Sequence, residues 1–130
     1  MIFLDSSAII KLVLREEESE ALHAYLAERA DRTQVTSDVA MVEVPRAVAR
    51  SQPLGLVTAH QTLARMKKVP VDPSVLMSAA SLPPLLLRSL DAIHLASALA
   101  VMRHLTAFVS YDKRLIEAAR HHDLPAEMPT

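Results

Sequence analysis

The sequence predicts a three-layer α/β/α fold built on a central, mostly parallel sheet of four to five strands, with one domain spanning residues 1–130. Three observations predict it. Short apolar runs alternate with longer stretches of helical periodicity, the pattern of a parallel sheet covered on both faces. Apolar residues make up 51% of the 130, enough for the core of one domain. Two acids, Asp5 and Asp112, follow apolar, β-like runs and so fall at strand carboxyl ends, outside which such sheets bind their ligands.

In chain order, Ile2 to Leu4 reads as a short buried strand. Ser6 or Ser7 can cap a helix running to about Leu14. Glu16-Glu17-Glu18 loads the start of the next helix with acid, which suits its positive end, and Leu22, Tyr25 and Leu26 give it an apolar stripe. Thr33 to Ser37 is the second strand. A helix from about Asp38 to Arg50 follows, capped by Ser37 or Asp38, and Pro45 inside it should kink or shorten it. Ser51-Gln52-Pro53-Leu54-Gly55 breaks the chain before a helix from Leu56 to Lys68. Val69-Pro70-Val71 is an extended piece best placed at a sheet edge. Pro73 to Ser81 forms a short helix ended by Pro83-Pro84. Ser89 can cap the helix from Leu90 to His104, which is apolar on most sides and therefore buried. Ala107 to Ser110 is a strand, Asp112 to His121 the last helix, and Ala126 to Met128 an edge strand.

Composition excludes several functions. With a net charge of −1 there is no global basic field for nucleic acid, so any polyanion contact is local. Two Phe, two Tyr and no Trp leave almost nothing on which bases can stack. The single glycine, Gly55, rules out every glycine-rich phosphate loop. No apolar run approaches the roughly 18 residues of a membrane span. The N-terminus has no basic segment or cleavage site of a leader, because Asp5 ends its apolar run, so cytoplasmic residence is the expectation. Without cysteine there is neither a disulfide framework nor a soft-metal site.

Four acids stand out: Asp5, Glu43, Asp91 and Asp112. Each has an ordinary explanation: a turn or cap for Asp5, a helix-surface partner of Arg46 for Glu43, dipole compensation for Asp91, and an N-cap for Asp112. Together they say more. Asp112 shares a helix face with Leu115, Ile116 and Ala119, and Asp91 with Leu95 and Ala98, so both point inward. Unpaired carboxylates drawn toward a core are costly, and several in one pocket repel unless a divalent cation sits among them. Mg²⁺ takes oxygen ligands and can activate a water beside a phosphate. Arg46 and Arg50 fall on Glu43's side of its helix, and Arg88, Lys113 and Arg114 flank Asp91 and Asp112, as phosphate contacts would. The six histidines offer no convincing ligand pair, and His94 is expected to be packed or hydrogen-bonded.

Taken in order, Ile2-Phe3-Leu4-Asp5-Ser6-Ser7-Ala8, Val42-Glu43-Val44-Pro45-Arg46-Ala47, Leu87-Arg88-Ser89-Leu90-Asp91-Ala92-Ile93-His94-Leu95-Ala96 and Val109-Ser110-Tyr111-Asp112-Lys113-Arg114-Leu115 resemble a PIN-domain ribonuclease of the VapC toxin type. The resemblance covers nearly the whole chain, and the Leu90-to-Ala96 run is its most specific part. It implies a Mg²⁺- or Mn²⁺-dependent endoribonuclease that leaves a 5′-phosphate and a 3′-hydroxyl, usually a homodimer, silenced by a small VapB-like antitoxin. The family's acids carry over onto Asp5, Glu43, Asp91 and Asp112, with Asp5, Asp91 and Asp112 on the metal. Its hydroxyls carry over onto Ser7 and Ser110, which would orient the ligands. A departure is Asp123, where the family often has glycine before the final strand. Two rivals are a receiver-like domain that accepts phosphate on an aspartate and a PIN-like module that acts by protein contact alone.

Overall fold

The computed structural model describes residues 1–130. Five strands, β1 (Ile2–Leu4), β2 (Gln34–Ser37), β3 (Lys67–Val69), β4 (Ala107–Val109) and β5 (Ala126–Glu127), form one sheet in the order β3-β2-β1-β4-β5. Every pairing is parallel, with Phe3 opposite Val35 on one side and Phe108 on the other. The seven helices are α1 (Ser6–Val13), α2 (Ser19–Ala27), α3 (Ala40–Ser51), α4 (Leu56–Ala64), α5 (Pro73–Ser81), α6 (Ser89–Ala100) and α7 (Lys113–His121). None is long and apolar enough to cross a membrane.

The pleat sorts the strand side chains into two cores. Ile2, Leu4, Ala107 and Val109 point to the face covered by α1 to α4, where they meet Ile9, Leu22, Val44, Val48 and Leu63. Phe3 and Phe108 point to the other face and pack with Leu95, Ala98, Leu115 and Ala119 of α6 and α7. These two phenylalanines stack at 5.3 Å between ring centres and 8° between planes. With so few aromatics, this pair anchors the second core. The three-layer fold with a parallel sheet is therefore the observed one, and all five strands run the same way.

The strand order carries a functional consequence. The chain builds outward from β1 to β2 and β3, then returns to place β4 on β1's other side. β1 and β4 therefore flank the point where the order reverses, and a crevice opens there at their carboxyl ends. A receiver-like sheet would follow the order 2-1-3-4-5, so the topology sets that rival aside.

Several local expectations need correction. Asp5, not Ser6 or Ser7, caps α1: its Oδ1 accepts the Ala8 N–H at 2.9 Å. Arg88 is the N-cap residue of α6 in place of Ser89, and it offers no side-chain cap bond. The helix expected to reach Lys68 stops at Ala64, and Lys67–Val69 pairs with β2 as an edge strand. The α6 helix ends at Ala100 and gives way to a short 3₁₀ turn. Pro45 does not shorten α3, which runs without a break from Ala40 to Ser51. The missing Pro45 N–H would have met the carbonyl of Met41, whose residue is exposed to water that can replace it. Asp123 takes φ 60°, the left-handed turn for which glycine is the usual residue and which aspartate tolerates.

Candidate functional site

A cavity of about 450 Å³ opens at the reversal point. Asp5 reaches it from the end of β1, Glu43 from the first turns of α3, Asp91 from the first turn of α6 and Asp112 from the cap of α7; all four line its wall. Ser7, Arg46, Arg50 and His94 line it too. Ser110 lies fully buried beneath, while Arg88 and Lys113 sit outside the lining.

Asp5 is 3% exposed and fully engaged. Its Oδ1 accepts from the Ser7 hydroxyl at 2.7 Å as well as from Ala8, and its Oδ2 accepts from the Ser110 hydroxyl at 2.6 Å. Burial pushes its carboxyl above the usual range, against the pull of His94 and of the three hydrogen bonds. Ser7 and Ser110 do more than touch Asp5. Ser7 Oγ accepts the Tyr111 N–H and Ser110 Oγ accepts the Asp112 N–H, so these hydroxyls splice the end of β4 to the start of α1.

Asp112 Oδ1 caps α7 through the N–H groups of Arg114 and Leu115 at 2.9 and 3.2 Å. Its other oxygen faces Arg88, whose guanidinium lies 3.7 Å from Asp112 Oδ2 and 3.5 Å from Asp91 Oδ2. Arg88 thus spans the two acids. Burial pushes the Asp91 carboxyl up, and the negative charges of Asp112 and Asp5 push the same way, with Arg88 and His94 opposing. The like-charge repulsion expected from the sequence is therefore present at Asp91.

Glu43 behaves differently. Its Oε1 accepts from His94 Nε2 at 2.6 Å and from the Ser6 hydroxyl at 2.9 Å. Burial would raise its carboxyl, but the hydrogen bond and charge of His94, the Ser6 bond and the charge of Arg88 outweigh burial and hold it below the ordinary value. The expected pairing with Arg46 is absent. Arg46 and Arg50 enter no ion pair at all and stand free on the cavity rim.

As the side chains lie, no three acidic or histidine groups are arranged to hold a single metal ion. The cause is visible in the bonds just described: each carboxylate is turned to a local donor. The residues nonetheless suit a hard divalent cation. The ligand atoms on offer are carboxylate and hydroxyl oxygens, and the strain at Asp91 is the kind that added positive charge relieves.

The family model for the PIN domain matches residues 2–121. The chain is 41% identical over 131 residues to ribonuclease VapC35 of Mycobacterium tuberculosis, covering 99% of this chain and 97% of that protein. It is 43% identical over 119 residues to ribonuclease VapC46 of the same organism, covering 92% and 90%. This chain belongs to the PIN-domain family, in its VapC group. Solved structures agree in fold. VapC20 of M. tuberculosis, described as a sarcin-ricin loop cleaving toxin, aligns with a TM-score of 0.74 at 14% identity, covering 91% of this chain and 95% of that one. VapBC2 of Rickettsia felis, solved bound to a DNA fragment from its promoter, aligns over 100% of both chains with a TM-score of 0.72 at 15% identity.

Two residues of this VapC-group site hold roles that the sequence does not assign: Ser6 reads there only as a possible cap, and His94, packed or hydrogen-bonded as expected, has in Glu43 and Ser6 partners that the sequence does not name. The signal for His94 was its place at i+3 from Asp91, on the face that Asp91 shares with Leu95 and Ala98.

Proposed function

We propose that this protein is an endoribonuclease, the toxin of a toxin–antitoxin pair, which hydrolyses RNA phosphodiester bonds with the help of Mg²⁺, for which Mn²⁺ can substitute. The observation that supports it most is the meeting of Asp5, Glu43, Asp91 and Asp112 in one cavity of a chain from the VapC group. Asp5, Asp91 and Asp112 would hold the cation, which when bound supplies an activated water and neutralises charge growing on the phosphate. Ser7 and Ser110 fix the Asp5 oxygens for that task. Glu43 is ionised at neutral pH and poised to orient the attacking water. Arg46 and Arg50, free of acid partners, take the phosphates flanking the cut; Arg88 and Lys113 extend that contact beyond the rim.

In this reading the PIN-like domain spans residues 1–130, resides in the cytoplasm, dimerises with a second copy and is silenced by a VapB-like antitoxin. Exposed Leu85 lines an apolar groove with Leu76, Leu82 and Leu87, and Met77 and Leu86, next to groove residues in sequence, are exposed too, which supports a protein partner. The test is cleavage of an RNA panel with Mg²⁺, compared with EDTA and with Asp5→Asn and Asp91→Asn. Each variant is expected to lose about a hundredfold or more, the scale of removing one electrostatic contributor from an active site. Undiminished cleavage by both would refute the mechanism.

A further inference from the structure

The His94 ring is 1% exposed, yet its Nδ1 is the one buried side-chain nitrogen or oxygen without a hydrogen-bond partner. Its Nε2 is crowded by two oxygens, Glu43 Oε1 at 2.6 Å and Ser6 Oγ at 3.1 Å. Counting protons resolves this. Ser6 has one hydroxyl proton, and its bond to Glu43 Oε1 at 2.9 Å uses it. The contact between Ser6 and the ring therefore has Ser6 as acceptor, and Nε2 must carry the hydrogen. A ring protonated only on Nδ1 would set a bare Nε2 lone pair against a carboxylate and bury an Nδ1–H with nothing to receive it, two penalties that a hydrogen on Nε2 avoids at the Glu43 contact. The ring itself packs against Phe3 in a T-shaped arrangement, at 6.3 Å between centres and 84° between planes.

We propose that His94 and Ser6 form a two-donor clamp that grips Glu43 by Oε1 alone, which makes His94 a positioning residue for the cavity. Oε2 accepts no hydrogen bond from the protein and is left as the oxygen available to the cavity that Glu43 lines. The clamp joins three helices from both layers: Ser6 on α1 and Glu43 on α3 lie on one side of the sheet, and His94 on α6 reaches from the other. A carboxylate on a flexible side chain is thereby tied to two rigid frames, so its free oxygen keeps one place before any substrate arrives.

This inference deepens the ribonuclease reading and rests on it for its kinetic half, so the test has two arms. The first needs no RNA. Nitrogen-15 NMR of the histidine rings in the intact protein should show His94 with a hydrogen on Nε2 directed at Glu43, and Glu43→Ala should shift that signal and release the ring to a mixture of forms. A ring carrying its proton on Nδ1 in the wild type, or one indifferent to Glu43→Ala, overturns the clamp. The second arm is kinetic. Orienting groups one step removed from the reacting atoms are worth about 10- to 100-fold, so H94L should lose that much in kcat with KM within about twofold. H94Q, whose amide nitrogen can reach the Nε2 position, should recover most of the loss. In a Glu43→Ala background H94L should cost nothing further; an equal loss there overturns the proposal. If H94L does not fold, S6A removes the second donor and is read the same way. A wild type that shows the Nε2–H ring but cuts no RNA would defeat the ribonuclease reading and leave the clamp standing.

Discussion

The acids divide by what holds them. Asp5 and Asp91 are pushed up by burial, whereas Glu43 is pulled down by its two donors and by nearby positive charge. The signs for stability follow. Asp5 and Asp91 bind protons more tightly folded than unfolded, so the native state holds extra protons between the ordinary carboxylate range and their raised values. Through that window the metal-free protein loses stability as pH rises. Glu43 works the other way: its contribution is present above its unfolded value and is lost as pH falls through the lowered one. Because the Glu43 window lies below the ordinary carboxylate range and that of Asp5 and Asp91 lies above it, thermal denaturation in EDTA should show Tm falling as pH rises above that range. Asp5→Asn should flatten that fall. Excess Mn²⁺ at neutral pH should then raise Tm more in the wild type than in Asp5→Asn, because a ligand specific to the folded state stabilises by mass action. A Tm that climbs steadily toward neutral pH in EDTA would contradict the assignment of strain to Asp5 and Asp91.

At the scale of the element, the same residue can serve helix and chemistry at once, and Asp112 shows how to separate the two. Its Oδ1 caps α7 while its Oδ2 faces Arg88 and the cavity. Asp112→Ala removes the cap and should cost about 1 kcal/mol, a few degrees of Tm for a chain of this size. Asp112→Asn keeps an acceptor for the N–H groups and should hold Tm near the wild type while cation binding, followed by calorimetry, still weakens. Equal Tm losses in both variants would tie the charge itself to the fold. The elements also show what the sequence makes legible. β1 and β4 announce themselves because both faces of each are covered, so every residue is apolar. β3 does not: it is an edge strand with two lysines, and only Val69 is buried. The acids at the strand ends could be found because a carboxylate beside an apolar run is conspicuous. The partner of His94 could not, because it depends on α3 and α6 meeting across the end of the sheet, which no local pattern encodes. Nor could the cap of α1, where Asp5 and two serines compete and only the backbone geometry decides.

For the molecule as a whole, the puzzle is how a chain of net charge −1 with almost no aromatics would hold RNA. Long-range attraction is close to nil, so affinity has to come from charges that are locally uncompensated. Most cations near acids are spent: Lys11, Arg15, Arg29, Arg32 and Arg88 all sit in ion pairs. Arg46 and Arg50, one helical turn apart on the rim, are not. If they take one phosphate each, they release about two contacts' worth of counterion, which for a single strand sets a slope of about −1.4 in the logarithm of affinity against the logarithm of salt. Fluorescence anisotropy with a labelled RNA and the Asp5→Asn protein, held in EDTA to suppress cutting, should therefore show the salt slope becoming shallower by about 1.4 when both arginines are changed to alanine. The loss should be nearly uniform across RNA sequences, because phosphate contacts position the strand and do not read it. An unchanged slope would mean that RNA enters from the other side, over Arg88 and Lys113. Phosphates there would compete with Asp91 and Asp112 for the Arg88 guanidinium, and binding would then weaken on Arg88→Ala instead.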